Sequence, residues 1–153
     1  MHILVATDAD YVVNDVTGAL SSPDTRFTIV TEGREVSRLV ARGGIDLAIL
    51  DLQVGSKGGM AVTMDLRLDE SDGRVPHVKV LMLLDRKADV HLAKRSAADG
   101  WIVKPFDPLA LKRAVKLVLE GPVAPTVDLS GDDQTEADEA AIDSAEEEPA
   151  TAG

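Results

Sequence analysis

Apolar positions along this chain alternate between two patterns. Short apolar-rich runs at 2–6, 45–50, 78–84 and 100–103 read as strands, the first of them buried, and 26–31, with Phe27, Ile29 and β-branched neighbours, as a further short strand. Between them, apolar residues recur at helical spacing: Val12/Val13, Val16 and Leu20; then Val36, Leu39 and Val40; then Met60/Ala61, Met64 and Leu68; then Val90, Ala93 and Ala97. The last stripe is the clearest: Leu111, Ala114/Val115 and Val118/Leu119, with Asp107 placed to cap it, Pro108 in the first turn, and Gly121-Pro122 to stop it. Ser21-Ser22-Pro23-Asp24, Gly43-Gly44 and the polar segment 69–73 break the earlier helices. Five rounds of strand then helix predict an α/β fold. Continuous apolar strands joined by right-handed helical crossovers form a five-stranded parallel sheet covered on both sides, a three-layer doubly wound domain.

Composition divides the chain at Gly121. Residues 1–121 hold 17 acids and all 16 Lys/Arg; residues 122–153 hold 10 acids and no base. The net charge of −11 therefore belongs almost wholly to the tail. The domain is expected at 1–121, and the tail, poor in large apolar residues, is expected to be disordered. A nearly neutral body without a basic stripe argues against nucleic-acid binding. No apolar stretch approaches a membrane span and no signal peptide is evident; cysteine is absent. A cytoplasmic protein is the expectation.

Candidate chemistry lies at strand ends. Asp51 ends the most apolar run, and Lys104 ends another, 53 positions later. Ligands bind at the carboxyl edge of open α/β sheets. In the flavodoxin-like strand order 2-1-3-4-5, strands one and three are neighbours, so Asp8 and Asp51 would face each other there. Two adjacent carboxylates suit Mg²⁺, which accepts one or two of them and keeps waters and a phosphoryl oxygen. A lysine beside them supplies a counter-charge, and the set suits phosphoryl transfer to a carboxylate. His2, His77 and His91 lack metal-ligand spacing.

Over residues 1–121 the chain resembles the receiver domains of two-component response regulators. The matching residues are Ile3-Leu4-Val5-Ala6-Thr7-Asp8, the Asp51 strand, Gly59 eight residues later, and Gly100-Trp101-Ile102-Val103-Lys104-Pro105-Phe106. The resemblance implies an aspartyl phosphate on Asp51, donated by a histidine kinase, a phosphotransfer protein or a small phosphodonor. It implies Asp8 and Asp51 as Mg²⁺ ligands, Lys104 as the phosphoryl contact, and a cis Lys104–Pro105 bond. It also implies contact with a downstream partner around strand five and its flanking helices. A stand-alone protein is expected because the 32 tail residues are too few and too acidic for an output domain, with a homodimer left open.

Three positions depart from that family. Thr7 stands where a first acid is usual, which should weaken Mg²⁺ binding. Leu84 stands where a hydroxyl contacts the phosphoryl group and draws in the strand-five aromatic; Trp101 occupies the aromatic position. Asp85 replaces a small residue and would repel a phosphoryl group unless it points away. Leu84 and Trp101 are the switch positions. The departures support an alternative, a pseudo-receiver that binds partners without phosphorylation. A phosphatase with an aspartate nucleophile fits poorly, since Gln53 stands where its second acid would be.

Overall fold

The computed structural model describes residues 1–121; the expected tail, 122–153, lies outside the described residues. Five parallel strands, β1 (His2–Ala6), β2 (Arg26–Val30), β3 (Leu47–Asp51), β4 (Lys79–Leu84) and β5 (Gly100–Val103), form one sheet in the order 2-1-3-4-5. Helices α1 (Asp10–Leu20) and α5 (Pro108–Glu120) cover one face. Helices α2 (Val36–Ala41), α3 (Gly59–Ser71) and α4 (Val90–Ser96) cover the other. This is the flavodoxin-like α/β arrangement that the pattern predicts. Short 3₁₀ turns at Gly33–Glu35 and Lys87–Asp89, which the spacing did not predict, lead into α2 and α4.

The central strand explains where polar chemistry can sit. All five residues of β3 are buried, and its alternate side chains serve opposite cores. Burying a large aliphatic side chain contributes roughly 1.5–3 kcal/mol, so the strand interior is reserved for such residues. A carboxylate is tolerated only at the last position, where loops can supply partners.

Two helical stripes differ from expectation. In α3 the buried residues are Gly59, Val62, Thr63 and Leu66, whereas Met64 and Leu68 are 48 % and 58 % exposed. The cause is Gly59. A Cβ there would lie 2.7 Å from the Asp51 carbonyl oxygen and 3.1 Å from Leu52 Cα. That close approach seats the first turn of α3 on the end of β3 and turns Val62 and Leu66 inward. In α4, Ser96 is buried in place of Ala97, which takes a left-handed conformation (φ 63°) and ends the helix. The last helix is as expected: Asp107 accepts a hydrogen bond from the Ala110 backbone N–H at 2.7 Å, and Leu111, Ala114, Val115 and Val118 are buried.

Two glycine substitutions should act in opposite directions. Gly59→Ala forces α3 off backbone atoms and should destabilise by about 1–3 kcal/mol in urea unfolding. Gly18 lies inside α1 with nothing within 4 Å of an added Cβ. Gly18→Ala should therefore stabilise by about 0.5–1 kcal/mol through helix propensity. Equal effects of the two would contradict the close-approach account.

Candidate functional site

The β1–β3, β3–β4 and β4–β5 pairings bring four strand ends together at the carboxyl edge. Ala6 pairs with Leu50, Asp51 with Leu83, and Leu84 with Val103. Thr7, Asp8, Asp51, Asp85 and Lys104 thus leave adjacent strands at one edge of the sheet.

Asp51 is the most enclosed charge of the group, its side chain 3 % exposed. Its two oxygens have separate partners. Oδ1 accepts from Lys104 Nζ at 2.9 Å and from the Gln53 backbone N–H at 3.1 Å. Oδ2 accepts from the Thr7 hydroxyl at 2.7 Å. Thr7 is fully buried and its Oγ1 also accepts from the Ala9 backbone N–H at 3.2 Å. The threonine is therefore a neutral donor to Asp51.

Lys104 serves two carboxylates. Its Nζ lies 3.0 Å from Asp85 Oδ1 as well as 2.9 Å from Asp51 Oδ1, and its side chain is 9 % exposed. Burial pulls the ammonium down, but the hydrogen bonds and charges of Asp51 and Asp85 outweigh it. The net shift is upward from the ordinary 10.5. Asp85 does not point away from the site. Sequence reasoning missed this pairing, although a signal existed: in parallel register, the residues after Leu84 and Val103 are neighbours. The Lys104–Pro105 bond is cis, as the resemblance implies.

Asp8 is exposed, and its Oδ2 lies 3.2 Å from where a Cβ on Gly55 would be. It does not cap α1, whose N-cap is Ala9, with no side-chain hydrogen bond. The donors at this edge are all oxygen. Among the described residues no three acidic or histidine side chains converge. A cation would thus rest on at most two carboxylates, Asp8 and Asp51, with the other positions left to water. Mg²⁺ takes one or two carboxylates and keeps several waters, so the oxygen chemistry of Asp8 and Asp51 suits it.

Leu84 is fully buried and Trp101 is 1 % exposed, both in the core beneath α2, α3 and α4. Trp101 is a core residue, not a partner-facing one. The ammonium of Lys94 on α4 lies 5.8 Å from its ring centroid, and the indole Nε1 makes no hydrogen bond with the described residues.

Comparison with known proteins shows what the chain is similar to. The response regulator receiver domain family matches residues 3–116. An uncharacterized response regulatory protein of Mycobacterium tuberculosis is 39 % identical over 100 residues, covering 65 % of this chain and 72 % of that protein. The chemotaxis response regulator CheY4 of Vibrio cholerae superposes with a TM-score of 0.67 at 22 % identity, covering 77 % of this chain and 98 % of that one. The receiver domain of the sensor histidine kinase PA1611 from Pseudomonas aeruginosa PAO1, solved with magnesium in its active-site cleft, gives 0.67 at 21 % identity, covering 78 % and 98 %. At these identities the two structures bear on the fold alone.

The enclosed pair should be measurable. Lys104→Met leaves the Asp51 carboxylate without its cation and should destabilise by about 2–4 kcal/mol. Adding Asp51→Asn should restore most of that loss in chemical denaturation. Strict additivity of the two changes would contradict the pairing. Because the Lys104 pKa is raised on folding, its stabilisation is fully present below the ordinary 10.5 and is lost as pH rises through the folded value. The double variant should lack that alkaline loss.

Proposed function

The chain belongs to the response regulator receiver domain family of two-component signalling, and from that premise we propose that it accepts a phosphoryl group on Asp51 and signals by protein–protein contact. The domain would be residues 1–121, and the acidic segment 122–153 its tail. The observation that carries the reading is the enclosed Asp51 carboxylate at the end of β3, with the Lys104 ammonium 2.9 Å away.

The chemistry follows from that pair. A carboxylate oxygen of Asp51 bonds to the phosphorus of the donor while the bond from phosphorus to the leaving group breaks. The leaving group departs with the electron pair, and Asp51 gives up no proton. Lys104 holds the nucleophile in place and offsets the negative charge that gathers on the phosphoryl oxygens. Mg²⁺ on Asp8 and Asp51 would supply further neutralisation of those oxygens. The donor would be a histidine kinase or phosphotransfer protein, and the receiver of the signal a downstream protein. Among the described residues no helix is long and apolar enough to cross a membrane, and a cytoplasmic setting is part of the proposal.

Specific observations favour a second reading, phosphorylation-independent binding. Leu84 offers no hydroxyl, and a lost charge-assisted hydrogen bond to the phosphoryl group costs about 1.5–3 kcal/mol. Trp101 is held inside by packing and the Lys94 ammonium over its ring, with no hydrogen bond to its indole among the described residues. Both Asp51 oxygens already have protein partners.

Intact mass after incubation with Mg²⁺ and acetyl phosphate separates the two. The expected result is a gain of one phosphoryl group, abolished by Asp51→Asn. No gain at high donor and Mg²⁺ overturns phosphoacceptance and leaves the binding module. Thr7→Asp, which adds a carboxylate beside Asp51, should tighten Mg²⁺ binding several-fold by calorimetry. An unchanged affinity would remove Thr7 as the reason for a weak metal site.

A further inference from the structure

The position of Asp85 gives Lys104 a second anion. Its Oδ1 is 3.0 Å from Nζ, essentially as close as that of Asp51. The two carboxylates differ in freedom: the Asp51 side chain is 3 % exposed and the Asp85 side chain 36 %. The Lys104 backbone N–H donates to the Leu84 carbonyl at 2.7 Å, so the strands hold the lysine stem beside residue 85. The neighbouring Arg86 pairs with Asp89.

We propose that Asp85 is a positioning residue that restrains phosphoryl transfer to Asp51 by competing with the incoming group for Lys104. The inference rests on the proposed phosphoacceptance by Asp51. An aspartyl phosphate brings additional negative charge next to an ammonium that already serves two carboxylates. Like charges on one ammonium repel, and the less enclosed one moves. Asp85 is that group, because it can turn to solvent while Asp51 is fixed by Thr7 and the Gln53 N–H. Its release also has a structural route outward. Asp85 joins β4 to the 3₁₀ turn Lys87–Asp89, and that turn leads directly into α4. A charge exchange at Lys104 can therefore reach α4 without a hydroxyl at position 84 and without moving Trp101.

The test is the initial rate of phosphorylation by acetyl phosphate with Mg²⁺, followed by intact mass, for the wild type, Asp85→Asn and Asp85→Glu. Thermal unfolding confirms that each variant is folded. Removing one like charge a few ångströms from the phosphoryl group at a half-exposed site should accelerate Asp85→Asn about three- to tenfold. Asp85→Glu should stay slow, and added salt should narrow the gap between wild type and Asp85→Asn. A purely structural role for residue 85 predicts no such salt dependence. Phosphorylation of wild type and Asp85→Asn at equal rates, or a slower Asp85→Asn, overturns the inference while leaving Asp51 as acceptor. A faster gain in Asp85→Asn than in wild type, lost from both on adding Asp51→Asn, supports both. No gain in any form shows that phosphoacceptance itself has failed, and the inference falls with it.

Discussion

An enclosed carboxylate must be balanced where it stands, and the Asp51–Lys104 contact is where this chain meets that demand. The charge sits at the end of the most buried strand, so water cannot supply the balance. The fold brings the counter-charge from a strand two places away in the sheet. Strand order, the parallel register of β4 and β5, and the close seating of α3 through Gly59 all serve that one placement. A Cβ at residue 59 would meet the Asp51 carbonyl oxygen at 2.7 Å and force α3 to shift.

Around that pair the site differs from an acid-rich one in a consistent direction. Thr7 gives Asp51 a neutral hydrogen bond. Leu84 replaces a polar contact with packing, and Trp101 is buried beside it in the same core. Asp85 then adds back a negative charge, paired to the same Lys104 ammonium. The result is a carboxylate well satisfied by protein groups. An arrangement of this kind favours a quiescent resting state.

Much of this was legible in the residues. Apolar runs mark β1, β3, β4 and β5, while β2 is marked only by Phe27, Ile29 and β-branched neighbours and has one buried residue; Asp107, Pro108 and the Leu111 stripe mark the last helix with its cap. Asp51 and Lys104 were legible because a charged residue at the end of a buried strand is tolerated only where partners meet it. The rest required three dimensions. The inward face of α3 was misjudged because Met64 and Leu68 fit a helical stripe, whereas the helix is rotated by a backbone contact at Gly59 that no periodicity records. Asp85 looked like a repulsive neighbour because its sequence position gives its proximity to the site but not its direction. The sequence places Trp101 on strand five; its burial in the core comes from the packing of β5 beneath α4.

The central claim is that this edge of the sheet takes a phosphoryl group on one carboxylate and no other. An aspartyl phosphate is an acyl phosphate and is reduced by borohydride to homoserine, which marks its position permanently. Protein treated with acetyl phosphate and Mg²⁺, reduced, digested and mapped by peptide mass, should carry homoserine at position 51 alone. Homoserine at Asp8 or Asp85, or at no position under conditions that keep the protein folded, would contradict the account.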